Sequence, residues 1–394
     1  MSHVKVGAVD YTVQLDTVHS GFTDSHCWVH NRAGCIPGVR PEVVMTMQEV
    51  RLIGTDIFNS LHEMSTGDLG QSWSAPKEAY GLHSRYEGDN ERMVVCDFTP
   101  SWHAASKKLL GTGALVGYDR NQNRSRFVQT AYAAYDPLSR SWTDWRQLEL
   151  PPKFVGAVAG CTQRYDLPNG DVLLPVYFHE GGVPYLHVTP TGNTSFYRST
   201  VLRCRFDGKT LSYVEHGTEL VLEKDRGYYE PSVTRYGDAF YITLRANDRA
   251  DAARSADGIH FDVPKTWTWD DGETVPIYNT QQHWVTHSSG LFLVYCRKAE
   301  NNNHVVRHRA PLFIAEVDPG SLCLIRSSER ILVPEHGAGL GNFGVVNVGP
   351  DETWVTTSEW MTAGARERGA DNRVYVARIK WSKPNRDVES REDC

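Results

Sequence analysis

Side chains that could transfer a proton or bind an acid group are concentrated in a few short polar stretches of the chain. These stretches are residues 25–32, 81–83 together with 101–103, 161–165, and 226–231. A histidine can take up or release a proton near neutral pH, and an arginine guanidinium can hold a carboxylate through two parallel hydrogen bonds. The polar stretches are therefore suited to acid–base chemistry on a substrate that carries a carboxylate.

Residues 66–73 have the pattern S/T-x-D-x-G-x-S/T-W of the Asp-box, a tight turn between two strands. Thr66 and Asp68 can accept hydrogen bonds from backbone N–H groups inside the turn, and Gly70 can adopt a positive φ without a steric clash. Trp73 then starts the next strand and packs between two sheets. A degenerate second copy occupies residues 255–261. Two copies in one chain indicate a fold built from repeated sheets.

Apolar and polar residues alternate with a period of two along most of the chain, and Asp-Gly, Asn-Gly and Asp-Pro pairs separate the alternating segments. This pattern predicts strands joined by tight turns, and no helical periodicity extends beyond about ten residues. The predicted strands are 43–48, 58–64, 127–135, 161–165, 171–178, 201–206, 239–245, 291–296, 312–317, 354–358 and 374–381. Six repeat units start near residues 35, 94, 156, 228, 279 and 339. The segment before residue 30 could join the C-terminal strands and close a ring as a seventh unit.

The composition excludes several classes of protein. Of the 394 residues, 40% are hydrophobic and 23% charged, which is the balance of an ordinary globular protein. The net charge of −7 does not provide the positive surface that binds nucleic acid. No apolar run is long enough to span a membrane. Residues 1–7 lack the apolar core of a signal peptide, so we expect a cytoplasmic protein, or a secreted one if a signal was removed. We predict a single domain over residues 1–383 and a charged, disordered tail over residues 384–394.

The Asp-box turns and the repeated hairpins resemble the sialidase-like β-propellers over nearly the whole chain. The resemblance implies an all-β propeller of four-stranded antiparallel blades, six by the count of repeat units, whose innermost strands line a central channel. True sialidases have an arginine directly before an Ile-Pro pair in the first blade, where it binds the substrate carboxylate with two other arginines. Here Cys35 stands before Ile36-Pro37. That arginine is missing, which speaks against neuraminidase activity.

The positions of His83, His103 and Arg164 resemble instead those in propeller polysaccharide lyases, the ulvan lyases and the rhamnosyl-glucuronate lyases. This resemblance implies seven blades and β-elimination next to a uronic acid, including exo-action on L-rhamnosyl-α-1,4-D-glucuronate. Arg164 would neutralise the uronate carboxylate, while the histidines or a tyrosine would exchange protons at C5 and at the leaving oxygen. We assign the tyrosine role to Tyr229, with Tyr132 and Tyr228 as competitors.

Further residues on the predicted strands around the channel are assigned to substrate binding: His30, Arg226, Tyr228, Arg245, His283 and Asn342. His26 and His30 form a rival site, since the resemblance to a related group of propellers implies an N-terminal histidine at the opposite mouth of the channel. The basic run 304–309 either lines the channel or forms a solvated loop. The substrate partner expected for this set is an oligo- or polysaccharide that contains a uronate.

Two other functions stay open. One is a sialidase-like glycoside hydrolase, which needs two carboxylates, from Asp97, Glu230 or Glu359. The other is a non-catalytic propeller that binds glycan or protein.

The eight cysteines form no CxxC pair and are expected to be buried, with Cys27 and Cys35 close enough for a bridge. No D-x-D-x-D or HExxH motif occurs, so no metal site is predicted from side chains. A structural calcium ion in the channel stays open, since backbone carbonyls need no motif.

Overall fold

The computed structural model describes residues 9–52, 56–88, 91–179 and 196–388. This part of the chain is all β, and its helical segments are short turns. The strands of the first half are β1 (Tyr11–His19), β2 (His26–Ile36), β3 (Glu42–Arg51), β4 (Phe58–Thr66), β5 (Lys77–Glu78), β6 (Arg85–Glu87), β7 (Glu91–His103), β8 (Lys108–Tyr118), β9 (Arg124–Asp136), β10 (Ser141–Trp142), β11 (Arg146–Gln147), β12 (Tyr165–Asp166) and β13 (Asp171–His179).

The strands of the second half are β14 (Tyr197–Phe206), β15 (Leu211–His216), β16 (Leu220–Val221), β17 (Tyr229–Tyr236), β18 (Ala239–Arg245), β19 (Ala250–Ser255), β20 (Lys265–Thr266), β21 (Thr268–Trp269), β22 (His283–His287), β23 (Gly290–Tyr295), β24 (Leu312–Asp318), β25 (Cys323–Leu324), β26 (Arg330–Val333), β27 (Gly344–Gly349), β28 (Glu352–Ser358) and β29 (Val374–Trp381). The 3-10 turns are Tyr80–Leu82, Ala104–Ser106, Pro152–Phe154, Val306–His308, Arg326–Ser328 and Arg366–Arg368.

The strands form six sheets, which are the blades of a β-propeller. Blade 1 contains β2–β5, blade 2 contains β6–β11, blade 3 contains β12–β16, blade 4 contains β17–β20, and blade 5 contains β21–β26. Blade 6 contains β27–β29 together with β1. Apart from the parallel pair β21–β25, the pairing within the blades is antiparallel. The predicted all-β propeller is confirmed with six blades, and the seventh blade implied by the lyase resemblance is wrong.

The N-terminal segment closes the ring inside the sixth blade. β1 pairs with β29 from Tyr11 opposite Trp381 to His19 opposite Val374. The ring of Tyr11 packs on the edges of Phe292 and Trp381, at 5.6 and 5.5 Å between centroids. Pairing the first and last strands leaves no open edge on the last strand of the chain. The predicted role of this segment in ring closure is therefore correct, although it adds no blade.

Apolar side chains fill the spaces between neighbouring blades in seven buried clusters. The Asp-box at 66–73 fixes one outer turn of this packing. The Asp68 carboxylate accepts hydrogen bonds from the backbone N–H and the hydroxyl of Ser72 at 3.0 and 2.6 Å. Trp73 reaches into blade 6, where its ring lies 6.0 Å from that of Trp354. The turn therefore serves the fold and not the channel.

Two sequence-based expectations about the chain need correction. The seven described cysteines are buried, and Cys27 and Cys35 are not joined by a disulfide. Asn385 is 1% exposed and accepts a hydrogen bond from Ser288 N at 2.9 Å. Disorder beginning at residue 384 is therefore wrong for residues 384–388, and residues 389–394 lie outside the described part. Within the described residues, no helix has the length and apolar character to cross a membrane.

The strands that line the channel are β2, β7, β12, β17, β22 and β27, and in blade 2 the short β6 pairs with the first residues of β7. They are called the innermost strands below. In or just before five of them stands a residue with positive φ that is not glycine: His30 (58°), Asp97 (53°), Cys161 (57°), Glu230 (48°) and Asn279 (42°). The pairing register of β2, β7 and β17 shifts at these residues, as at a β-bulge. A bulge interrupts the alternation of side chains and aims one of them in a new direction. Here the bulged residues meet at one end of the channel.

Candidate functional site

The channel has two mouths that are separated by hydrogen bonds across its middle. We call the end where the innermost strands begin the upper mouth, and the end where they finish the lower mouth. Gln163 of blade 3 donates to the backbone oxygen of Trp284 in blade 5 at 3.0 Å, and accepts from the Trp284 N–H at 2.8 Å. Arg32 of blade 1 donates to Gln281 Oε1, which precedes β22, at 3.1 Å. These contacts make the two mouths separate candidate sites.

The upper mouth holds two arginines joined through one asparagine. Arg245, at the end of β18, forms an ion pair with Glu230 and donates to the backbone oxygen of Asn279 at 3.0 Å. Arg309 donates to the same backbone oxygen at 3.3 Å. The hydroxyl of Tyr229 lies 2.9 Å from Asn279 Oδ1, and the guanidinium carbon of Arg245 lies 4.5 Å from the centre of the Tyr229 ring. Asn279, whose backbone is left-handed, therefore contacts Arg245, Arg309 and Tyr229 at the same time.

The two arginines differ in their electrostatic surroundings. Burial is the largest single influence on Arg245 and disfavours its charge, but the attraction of Glu230, Tyr229 and Cys161 together outweighs burial and raises the pKa of Arg245. Burial and the repulsion from Arg245 and Arg307 lower the pKa of Arg309 to about 10. Arg309 makes no ion pair within the described residues, and its buried Nε has no hydrogen-bond partner there. Arg309 is therefore a cation that still requires an anion.

A second group of the upper mouth surrounds Asp97. Its carboxylate lies 3.2 Å from His30 Nε2 and accepts a hydrogen bond from the Cys161 thiol at 2.8 Å. Arg32 is fully buried and donates to the Cys161 sulfur at 3.1 Å. Burial lowers the pKa of His30, against the attraction of Asp97, and favours a neutral imidazole. Burial, Asp97 and Glu230 raise the pKa of Cys161, so the thiol keeps its proton.

The carboxylates of Asp97 and Glu230 belong to one electrostatic environment. Both act on His30 and Cys161, and both raise the pKa of Tyr177, which burial raises most. Glu359, the third carboxylate considered from the sequence, is 1% exposed and lies apart from them. It accepts hydrogen bonds from the Tyr375 hydroxyl at 2.9 Å and from Asp371 N at 2.9 Å. Glu359 thus stabilises the backbone near Asp371, whereas Asp97 and Glu230 both face the upper mouth.

The four side chains predicted to be catalytic lie in three places. Tyr229 is at the upper mouth. His83 follows the outermost strand β5 of blade 1, where its ring contacts the backbone oxygen of Tyr80, so it stands on the outer rim of the propeller. His103 and Arg164 lie at the lower mouth, where both line a cavity of about 910 Å³. The assignment of all four to one site does not follow from this geometry.

His103 and Arg164 are both engaged in structural hydrogen bonds. His103 Nδ1 lies 2.8 Å from Ser106 Oγ, and its Nε2 lies 2.8 Å from the backbone oxygen of Gly170. Arg164 pairs with Asp166 at 2.9 Å and donates to the backbone oxygens of residues 110 and 101 at 2.5 and 3.0 Å. A substrate carboxylate could bind Arg164 only by replacing one of these partners.

Of the residues predicted to bind substrate, His30, Arg226 and Arg245 lie at the upper mouth, and half-buried Asn342 precedes β27 there. Tyr228 turns its hydroxyl to Asp251, within the packing of blade 4. His283 is 2% exposed and lies 2.8 Å from Ser232 Oγ. Burial lowers the pKa of His283 to about 3, so its ring is a neutral part of the core.

Sequence reasoning missed three residues of the upper mouth. Arg32 lies in the polar stretch 25–32, and three consecutive polar residues in a buried strand were the available signal. Arg309 belongs to the basic run that was left open between channel and loop. Asn279 carried no signal, because a left-handed asparagine before a strand is a common feature of turns. Within the described residues, no three histidine, cysteine or acidic side chains are placed to hold a metal ion. A calcium ion on backbone carbonyls stays a prediction.

No protein-family model and no curated protein matches the chain. A protein of unknown function from Dyadobacter fermentans is 14% identical with a TM-score of 0.65, over 95% of this chain and 100% of that one. Trypanosoma rangeli sialidase is 13% identical with a TM-score of 0.60, over 95% of this chain and 60% of that one. The NanB sialidase of Streptococcus pneumoniae is 9% identical with a TM-score of 0.61, over 95% and 71%. At such identities the likeness establishes the fold alone, that of a sialidase-like β-propeller.

Proposed function

We propose that the chain is a carbohydrate-active enzyme that binds an acid group of its glycan substrate at the upper mouth. The observation that carries the proposal is the pair Arg245 and Arg309, joined by Asn279 beside Glu230 and Tyr229. Arg245 already has Glu230 as its carboxylate partner, whereas Arg309 has none within the described residues. A planar guanidinium in a buried setting binds a carboxylate strongly and with a defined orientation.

Hydrolysis of a glycosidic bond is the reaction that this geometry favours. Asp97 and Glu230 supply two carboxylates in one electrostatic environment, as hydrolysis requires. Glu230, held by Arg245, would stabilise the positive charge that develops on the sugar ring. Asp97, whose side chain is 20% exposed, would donate a proton to the leaving oxygen. A water molecule would then add to the sugar ring and return a proton to Asp97. The trypanosomal and pneumococcal proteins of the same fold are sialidases, which supports the class of reaction but not the particular sugar.

Elimination next to a uronic acid is the second candidate, at the lower mouth. Its supporting observation is that His103 and Arg164 line the same cavity of about 910 Å³. Arg164 would exchange Asp166 for the uronate carboxylate, and His103 would exchange a proton with the sugar. This site would work without His83, which lies on the rim.

A panel of uronate- and sialate-containing oligosaccharides tests the two candidates. Hydrolysis releases a reducing end without ultraviolet absorbance, whereas elimination leaves a conjugated, absorbing uronate. For hydrolysis at the upper mouth, Arg309→Gln should lower kcat/KM about 10- to 100-fold, the value of a charge-assisted hydrogen bond. The matched variant Arg235→Gln, which removes a cation lining the lower cavity, should not change it.

The opposite outcome identifies the second candidate. An absorbing product, lost in Arg164→Gln and retained in Arg309→Gln, would overturn the proposal in favour of elimination. Because Arg164 has structural partners, the fold of that variant is checked by circular dichroism and thermal unfolding. If no member of the panel is cleaved or bound, the enzyme assignment fails and the non-catalytic propeller becomes the explanation.

A further inference from the structure

Arg226 stands on a rigid segment just before β17. The backbone N–H of Tyr197 donates to the oxygen of Arg226 at 2.7 Å, and the N–H of Tyr228 donates to the oxygen of Tyr197 at 3.0 Å. Between them Gly227 has a φ of +74°, and a Cβ there would lie 2.2 Å from the Tyr197 oxygen. Only glycine fits this position, so the backbone that carries Arg226 is held in one conformation.

The guanidinium of Arg226 is held by aromatic rings and not by carboxylates. Its central carbon lies 4.3 Å from the centre of the Tyr229 ring and 5.8 Å from that of Tyr197. Its Nε is buried without a hydrogen-bond partner, and it makes no ion pair within the described residues. The nearby cations Lys224 and Arg249 are paired with acidic residues at 2.5 and 2.9 Å. Arg226 is therefore kept in place with its charge available.

The charges of the upper mouth do not balance. Four guanidinium groups and two carboxylates lie there beside His30: Arg32, Arg226, Arg245, Arg309, Asp97 and Glu230. Two further charges act on this group, Arg307 on Arg309 and Asp56 on His30, so the cations outnumber the carboxylates by five to three. Asp97 lies 3.8 Å from Arg32, and Glu230 contacts Arg245. Arg226 and Arg309 are left without a carboxylate in the described part of the chain. One acid group on the substrate would satisfy only one of these two cations.

We infer that Arg226 forms a second anion-binding subsite, and that the substrate carries carboxylates on two neighbouring sugar units. This inference rests on the proposed function, in which Arg309 and Arg245 bind the first acid group. The Tyr229 ring lies within 4.5 Å of the guanidinium carbons of both Arg226 and Arg245, so the two subsites share one wall. Such an arrangement selects an acidic polysaccharide or oligosaccharide over a glycan with a single terminal acid.

Calorimetric binding of two matched ligands tests the inference. One is a 4-linked uronate trisaccharide with its carboxylates free, and the other is the same trisaccharide with all but one carboxylate reduced to the alcohol. The wild-type protein should bind the first about 10- to 100-fold more tightly, as expected for one added charge-assisted contact. Arg226→Gln should abolish this difference between the ligands. Arg235→Gln, the matched loss of charge at the lower mouth, should preserve it.

The outcomes separate the inference from the function on which it rests. If Arg226→Gln weakens both ligands by the same factor, Arg226 belongs to the first subsite and the inference is overturned. It is also overturned if Arg226→Gln leaves the difference intact. If neither trisaccharide binds the wild-type protein, or if Arg309→Gln weakens neither ligand, the proposed function fails as well. Thermal unfolding of each variant verifies that the fold is retained.

Discussion

At the scale of single residues, the protonation of Arg309 in the upper mouth is expected to make activity depend on pH. Burial and neighbouring cations lower its pKa to about 10, so the side chain is charged at neutral pH and loses its proton earlier than an ordinary arginine. The neutral form cannot attract an acid group. We expect kcat/KM for an acidic glycan to be level up to about pH 9 and to fall as the pH rises through about 10, because kcat/KM reports the free enzyme.

The control for this profile is Arg309→Gln, in which activity should be lower at all pH values and the step near pH 10 should disappear. A wild-type profile that stays level well above this pH would contradict the role of Arg309. Cys161 cannot replace it as the source of such a step, because burial and two carboxylates raise its pKa.

At the scale of secondary structure, the upper mouth depends on left-handed residues in the innermost strands. Such conformations cost about 1–3 kcal/mol each for residues other than glycine and persist only where the surroundings require them. Asp97 and Cys161 hold each other by a hydrogen bond of 2.8 Å, and Arg245 holds Glu230 by an ion pair. Regular strand pairing is therefore interrupted at the residues whose side chains come together in the upper mouth.

The Asp-box turn provides a prediction about stability. The hydrogen bonds from the Ser72 hydroxyl and N–H, followed by that from Thr66, lower the pKa of Asp68 to about 2. The ionised carboxylate is therefore favoured by folding, and its stabilisation is full above the unfolded pKa of about 4 and is lost as the pH falls toward 2. Asp68→Ala should lower the melting temperature at pH 7, and this difference from wild type should narrow below pH 4.

Activity distinguishes a structural turn from a site. kcat/KM of Asp68→Ala should stay within about twofold of wild type, a change of less than 0.5 kcal/mol in the barrier. Asp257→Ala, in the second copy of the turn, serves as the matched variant and should behave in the same way. A fully stable but inactive Asp68→Ala would show that the turn has been misinterpreted.

For the whole molecule, ring closure by β1 is the feature that a truncation can test. Removal of residues 1–19 deletes the strand that covers β29 and takes Tyr11 from the side of Trp381. An exposed strand edge pairs readily with other chains. We expect a lower melting temperature and larger species in size-exclusion chromatography, whereas removal of residues 1–8 leaves β1 in place and serves as the control. A monomeric 20–394 fragment with unchanged melting temperature would refute the closure role.

The sequence by itself determined the type of fold. Residues 66–73 predict a turn because Thr66, Asp68 and Gly70 act on their own backbone, and the period of two predicts strands because side chains alternate across a sheet. Both signals come from residues close together in the sequence, so they can be interpreted without knowing how the rest of the chain folds. The blade count of six also followed from the spacing of repeat units, while the seventh blade, taken from the lyase resemblance, was wrong.

Only the tertiary structure decided which polar side chains meet. The stretch 161–165 was predicted as a regular strand, but Cys161 is left-handed, and regular pairing begins only at Tyr165. A shift of one residue moves a side chain to the other face of a strand, so an unrecognised bulge defeats any assignment of inward-facing residues. His83 and His103 look alike in the sequence, yet one follows an outermost strand and the other ends an innermost one. Arg245 of blade 4 and Arg309 of blade 5 meet at Asn279 because these two blades pack side by side, which no local pattern encodes.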